Sequence, residues 1–202
     1  MNIVCLDLEG VLVPEIWIEF ASLTGIEALG ATTRDIADYD ELMTMRLNTL
    51  DAHGLGLPDI QAVIERMAPL PGARAFLDAL REQHQVIILS DTFYEFARPL
   101  MRQLNAPTLF CHQLETRSDG AISGYRLRMA DHKRAAVEAL RGLNFRVVAA
   151  GDSYNDTSML GAADQGLFFR APANVTAAFP QFPVTEDYDA LMRAIREGFA
   201  DQ

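Results

Sequence analysis

Ile3-Val4-Cys5-Leu6-Asp7-Leu8-Glu9-Gly10 is the stretch on which the reading of this chain turns. A short apolar run that passes at once into two carboxylates and a glycine predicts a buried parallel strand opening into a polar loop at its C-terminal end. Open α/β sheets carry their active sites at such ends. Strand alternation would send Asp7 and Glu9 one way and Leu8 the other, and Gly10 would let the backbone turn close to a ligand. Two acids on one rim suggest a metal or general acid-base chemistry. A solvated Asp-x-Glu-Gly turn would look the same, so the rest of the chain decides.

Two more apolar runs end in the same manner. Val86-Ile87-Ile88-Leu89 stops at Ser90-Asp91-Thr92, and a strand over 146–150 stops at Gly151-Asp152-Ser153-Tyr154-Asn155-Asp156. Further strands are expected over 108–111 and 166–169. Between them the apolar period becomes helical. Ile16, Trp17, Phe20 and Leu23 recur at helix spacing, with Gly25 placed to stop the helix. After a loop over 31–39, a second helix over 40–51 carries Leu42, Met43, Leu47 and Leu50. Pro58 opens a third, with Ile60, Val63, Ile64 and Met67 on one face, and Pro69 and Pro71 bracket its end. Residues 13–70 therefore read as a helical insertion.

From Pro71 a helix with Ala73, Phe76, Leu77 and Leu80 on one side leads into the second strand. Phe93, Phe96, Ala97, Leu100 and Leu104 continue at helix spacing, and Pro99 inside that run predicts a kink or a split. Ser118-Asp119-Gly120 is a turn signal for a small β-hairpin between 112 and 128. Asp131 is the expected N-cap of a helix to 140, and a last helix covers 187–199. Strands alternating with helices define an α/β fold with a doubly wound parallel sheet. Right-handed crossovers then bring the three polar strand ends to one edge of it.

Composition narrows the partners. The chain has 202 residues, half of them apolar, enough to bury a full core. A net charge of -11 without any block of Lys and Arg argues against nucleic acid and against an anionic membrane surface. No stretch approaches the roughly 18 apolar residues of a membrane span, and the N-terminal apolar run is too short for a signal peptide. Cys5 and Cys111 show no metal or redox spacing and read as free thiols. A cytoplasmic protein is expected. His53, His84, His112 and His132 have no ligand spacing and read as structural or surface residues. Met43, Met45 and Met67 read as packing of the insertion.

Asp7-Leu8-Glu9-Gly10-Val11-Leu12, Ile88-Leu89-Ser90-Asp91-Thr92, Lys133 and Gly151-Asp152-Ser153-Tyr154-Asn155-Asp156 resemble, in order and spacing, the four motifs of the haloacid dehalogenase superfamily. The likeness covers essentially the whole chain. It implies a Rossmann-like core of residues 1–12 and 71–202 with a small helical cap over 13–70 and a β-hairpin. Within the superfamily, the cap and hairpin resemble phosphoserine phosphatases. The Asp-Leu-Glu-Gly-Val variant is nearer still to those that also transfer phosphate from phosphoserine to homoserine. Glu9 departs from the commoner Asp-x-Asp pattern.

The resemblance implies roles. Asp7 is the nucleophile that forms an aspartyl-phosphate, and Glu9 is the acid-base that protonates the leaving serine oxygen and then takes a proton from water. Mg²⁺ is the implied ion, held by Asp7, the Glu9 backbone carbonyl and Asp152, with Asp156 as a support behind them. Ser90 with backbone N–H groups at a helix start would hold the phosphate oxygens and Lys133 neutralise their charge, Glu15 and Arg46 would serve the ammonium and carboxylate of phosphoserine, and Asp91 and Asn155 are further substrate-binding positions. Outside that context Ser90 would be a helix cap, Lys133 a solvated lysine and Arg46 a snorkelling surface residue. Two rivals remain on the residues. A signalling receiver module also uses a phospho-Asp, a Ser or Thr and a Lys, but its phosphorylated Asp follows an interior strand. A carbon-halogen hydrolase of the same superfamily would leave Asp152 and Asp156 without a purpose.

Overall fold

The structure, a computed structural model, describes residues 1–32, 35–36 and 38–200. It contains β1 (Asn2–Leu6), α1 (Ile16–Thr24), α2 (Tyr39–Ala52), α3 (Leu57–Ile64), α4 (Ala73–Gln83), β2 (Gln85–Phe93), α5 (Tyr94–Gln103), β3 (Thr108–Thr116) and β4 (Ile122–Arg126). Then follow α6 (His132–Gly142), β5 (Arg146–Gly151), α7 (Thr157–Ala162), β6 (Gln165–Phe169), α8 (Ala173–Ala178), β7 (Val184–Thr185) and α9 (Tyr188–Ala200). Seven strands form one sheet in the order β4-β3-β2-β1-β5-β6-β7, parallel throughout except for the antiparallel pair β3–β4.

The doubly wound architecture follows from β1 being apolar on both sides. Its alternation sends Val4 and Leu6 into one buried layer and Ile3 and Cys5 into the other. β5 does the same with Val148 and Ala150 against Val147 and Ala149. With helices covering both faces, the central strands β1 and β5 have no solvated side. β1 sits centrally between β2 and β5, so its C-terminal end faces the ends of both neighbours.

The segment after β1 is helical as expected. Gly25, at φ 71°, closes α1 in the left-handed conformation, and the Asp38 carboxylate accepts the Glu41 N–H to cap α2. The chain leaves and rejoins the core at one point, where the Leu70 N–H donates to the Leu12 carbonyl at 2.9 Å. Phe20, Met43, Leu50, Ile60, Ile64 and Met67 of the insertion are buried in one continuous core with Leu6, Leu8 and Leu12. The expected loop over 31–39 includes residues 33, 34 and 37, which lie outside the described residues.

Several expectations are corrected. β2 does not stop at Leu89 but runs through Ser90, Asp91 and Thr92 to Phe93; its pairing with β3 is irregular between Leu89 and Phe93. β3 extends to Thr116, its first half pairing with β2 and its second half with β4, so the short strand and the hairpin arm are one element. Pro99 does not split α5. Proline removes the N–H that would bond the Glu95 carbonyl four residues back, and the Gln61 side chain in α3 donates to that carbonyl instead, at 2.8 Å. Asp131 stands at the N-cap position of α6, its carbonyl accepting the Ala135 N–H at 3.0 Å, but its side chain does not cap the helix. Its backbone is left-handed, at φ 46°, and its carboxylate accepts the Ser158 hydroxyl at 2.7 Å. No described helix is long and apolar enough to cross a membrane.

Candidate active site

Asp7 follows the last residue of β1 and remains tied to the sheet, its N–H donating to the Ala150 carbonyl at 2.9 Å. The residue is only 5% exposed. One carboxylate oxygen, Oδ1, accepts the Leu8 N–H at 2.7 Å and the Lys133 ammonium at 3.0 Å. Among the described residues the hydrogen bonds to this carboxylate all go to Oδ1, which leaves Oδ2 open.

Beyond β5 the turn is built around Asp156, which is fully buried. Its Oδ2 accepts from the Asp152 N–H, the Ser153 N–H and the Ser153 hydroxyl, and its Oδ1 accepts from Lys133 at 2.9 Å. Backbone and carboxylate come so close here that a Cβ on Gly151 would lie 2.4 Å from the Asp156 Cβ. Gly10 is constrained likewise: at φ +73° its added Cβ would stand 2.3 Å from the Asp152 carboxylate carbon. Glycine at these two positions lets the ends of β1 and β5 bring Asp7, Asp152 and Asp156 together.

Lys133, in the first turn of α6, is 3% exposed. Its three ammonium protons match three carboxylates: Asp7, Asp156 and, at 3.0 Å, Asp91 from β2. A buried lysine so surrounded is held charged. Burial opposes this, but Asp156, Asp7 and Asp91 raise its pKa well above the ordinary value. The carboxylates respond in opposite directions. Burial and the neighbouring Asp156 push Asp7 well up and lift Asp152 to about 7. Asp91 goes down although it is partly shielded from water, because the Lys133 ammonium and two imidazoles face it.

One lysine does not neutralise this many acids. The ligand oxygens of Asp7, Asp152 and Asp156 lie within 4.8 Å of one another, an all-oxygen donor set that suits a hard divalent cation and would be relieved of its repulsion by one. The crowding of Asp152 against Gly10 brings these oxygens together by backbone design.

Glu9 extends along the loop, and its Oε2 accepts the Ile16 N–H at the start of α1 at 2.9 Å. Burial, followed by the adjoining Glu15 carboxylate, pushes Glu9 up to about 8. Glu15 itself is exposed. Arg46 is buried in α2, 6% exposed, with its guanidinium 4.4 Å above the Trp17 ring. It donates to the Ala31 carbonyl at 2.7 Å, while its Nε is buried with no partner. Burial lowers its pKa to about 10 against the pull of Tyr39, Glu9 and Glu15. The snorkelling surface reading of Arg46 does not hold.

Ser90 is buried inside β2, ahead of α5, and its hydroxyl accepts the Thr92 N–H at 3.3 Å. It is neither a helix cap nor at a helix start. Asn155 is exposed in the turn and makes no hydrogen bond among the described residues. His112 and His132, unremarkable in sequence, are buried against Asp91. No spacing could have found them, because they come from β3 and α6 and meet only through the sheet. An apolar groove on the cap, lined by Ala28, Thr44, Met45, Asn48 and Ala52, contains none of these groups.

Fold and site together define an α/β protein with a carboxylate–lysine cluster on the edge shared by β1, β2 and β5, followed in sequence by a helical insertion. The chain belongs to the haloacid dehalogenase-like hydrolases, a family that matches residues 12–161. A phosphoserine phosphatase of Pseudomonas syringae pv. tomato is 61% identical over 193 residues, which cover 96% of this chain and 81% of the relative. Phosphoserine phosphatase ThrH of Pseudomonas aeruginosa is also 61% identical over 193 residues, covering 96% and 94%. Among solved structures, phosphoserine phosphatase in apo form shares the fold with a TM-score of 0.76 at 18% identity, covering 95% of this chain and 98% of that one. A phospho-aspartyl intermediate analogue of phosphoserine phosphatase does so with a TM-score of 0.76 at 17% identity, covering 96% and 98%.

Proposed function

We propose that this protein is a phosphoserine phosphatase that works through a phosphoryl group carried on Asp7, and that it also passes that group to homoserine. The observation that carries the reading is the state of Asp7: a buried carboxylate gripped on one oxygen by Lys133 and the Leu8 N–H, with the other oxygen open. The 61% identity to the two Pseudomonas phosphoserine phosphatases supports the choice of substrate.

In the first half, Asp7 Oδ2 attacks phosphorus and the bond from phosphorus to the serine oxygen breaks. The Glu9 carboxyl, pushed up to about 8 by burial and Glu15, supplies the proton that the leaving alkoxide needs. In the second half, an acceptor oxygen attacks the same phosphorus, the bond to Asp7 breaks, and Glu9 takes the acceptor's proton. Water as acceptor gives hydrolysis; the homoserine hydroxyl gives transfer. Mg²⁺ would be held by Asp7, Asp152 and the Glu9 carbonyl, with Asp156 fixing the turn behind them, and would supply charge neutralisation to the phosphoryl oxygens. Lys133 adds a fixed positive charge beside Asp7, and Ser90 a hydroxyl on the same rim.

Residues 13–70 form the cap, and the adjacency of Leu12 and Leu70 supports that boundary. Inside it, Arg46 is the group for the substrate carboxylate: a buried guanidinium with an unpartnered Nε carries unused donor capacity. Glu15 is the group for the ammonium. The test is an assay on phosphoserine with Mg²⁺, with and without homoserine, following free phosphate and phosphohomoserine. Both products are expected, and neither from Asp7→Asn. Phosphate alone would remove the transferase half; no turnover of phosphoserine would remove the reading.

A further inference from the structure

Beside the nucleophile lies a cluster that the reaction above does not use. Asp91 from β2, His112 from β3 and His132 from the start of α6 meet there, both imidazoles buried, their ring centres 4.5 Å apart. His132 Nε2 stands 3.1 Å and His112 Nε2 3.7 Å from the same oxygen, Asp91 Oδ1. The other oxygen, Oδ2, accepts the Lys133 ammonium at 3.0 Å.

The protons on the rings can be located. The Arg128 N–H donates to His112 Nδ1 at 3.1 Å, so that nitrogen is an acceptor and the ring carries its proton on Nε2, toward Asp91. His132 Nδ1 is buried with no partner, so a proton there would be stranded; it too belongs on Nε2. The same assignment speaks against a metal, although the three residues could place ligand atoms within 4.8 Å. A cation on both Nε2 atoms would drive the protons to Nδ1, where one would meet the Arg128 N–H and the other would have no acceptor. It would also sit next to an ammonium.

We propose that Asp91, aimed by the His132 N–H with the His112 imidazole set beside the same oxygen, is the positioning residue for Lys133 and thereby holds the ammonium on Asp7 Oδ1. A lysine head on a flexible four-carbon stem has three donors and no preferred direction. Asp7 and Asp156 fix two of them, and Asp91 completes the tripod from the opposite strand. Asp91 in turn is the half-exposed leg, its side chain 40% accessible, and the two imidazoles are what stop it from swinging to solvent. This role rests on the phosphotransfer assigned to Asp7, but the arrangement itself can be tested without substrate.

The experiment pairs spectroscopy with kinetics on the full chain. Long-range proton–nitrogen correlation spectra should place the proton of both imidazoles on Nε2, and the Lys133 ammonium should give its own slowly exchanging signal. His132→Leu removes the donor. It should broaden the Lys133 signal and lower kcat on phosphoserine and p-nitrophenyl phosphate alike, by about 10- to 100-fold, as when a partner that orients an active-site group is lost, with KM within about twofold. His132→Gln offers an amide N–H near the same point and should recover the signal and most of the rate. A proton on Nδ1 of either ring overturns the proposal, and so does equal damage from Leu and Gln, which marks a packing role. If the leucine variant does not fold, the wild-type spectra and the glutamine variant still decide. A wild type inactive on phosphoserine would defeat the functional reading, not the proton placement.

Discussion

On the proposed mechanism, Glu9 and Arg46 separate general phosphatase chemistry from choice of substrate at the level of single side chains. Glu9 is pushed up to about 8 by burial and by Glu15, so it keeps a proton at neutral pH while Asp91, bonded to a cation, does not. Replacing it by glutamine should matter most where the leaving group is poor. We expect Glu9→Gln to slow phosphoserine by about 10²-fold or more and p-nitrophenyl phosphate by far less, the usual span of a proton-transfer contribution. Equal losses on the two would instead mean damage to metal binding or packing. Arg46 is the complementary case. Arg46→Ala should cost roughly 1.5 to 3 kcal/mol in kcat/KM for phosphoserine, as for a hydrogen bond to a charged group, and little for p-nitrophenyl phosphate, which has no carboxylate. Parallel losses would make Arg46 a prop for Trp17 and the Ala31 loop, which it touches in any case.

Among the elements, α5 and the cap meet at a carbonyl that α5 cannot satisfy by itself. Pro99 leaves the Glu95 carbonyl without its helical donor, and Gln61 in α3 fills the place. Removing that donor should cost about 1 kcal/mol, the worth of a typical buried hydrogen bond, and the cost should shrink in a Pro99→Ala background where the helix can donate again. Denaturant midpoints for the two single variants and the double variant measure this coupling, and additive losses would refute it. The cap is also tied to the hairpin, since the Leu57 N–H donates to the Gly120 carbonyl at 2.8 Å and Tyr39 packs edge-on against Tyr125. Glu9 takes part as well, because its side chain accepts the first N–H of α1. The Glu9 side chain is therefore held by the first turn of the insertion.

For the molecule as a whole, the carboxylates gathered at the sheet edge make stability depend on pH and on cations. Asp152 has its folded-state pKa raised to about 7 by burial and by Asp156. A carboxyl raised in this way contributes stability that is present below its unfolded value near 4 and is lost as pH rises through about 7. Without a divalent cation, Asp152→Asn should therefore overtake the wild type in thermal midpoint as pH goes from about 4 to 7. Adding Mg²⁺ should reverse the order, because a ligand at a hundred times its Kd stabilises by about 2.7 kcal/mol and the asparagine is the poorer ligand. Midpoints measured in chelator and in Mg²⁺ across that range would show it. A gap that ignores pH, or Mg²⁺ that stabilises both proteins equally, would count against Asp152 as a ligand.

Local patterns were enough for the α/β class, the sheet's polar edge, the helical insertion and the closing helix, because periodicity and punctuation are properties of neighbouring residues. Local pattern also placed Asp7, Glu9 and Asp152 at strand ends, whereas Lys133 stood out only through the resemblance of the motifs around it. Tertiary structure alone decided what depends on distant residues meeting. β2 runs past Ser90 because β3 lies beside it, and Pro99 is tolerated because Gln61 reaches across from the cap. The Asp131 side chain accepts from Ser158 rather than capping its own helix. His112 and His132 become part of the site only when β3 and α6 converge on Asp91, and Lys133 becomes a buried tripod only when three carboxylates surround it. Burial and hydrogen-bond partners are set by the packing of remote segments, and they turn those residue types into groups with definite protons and charges.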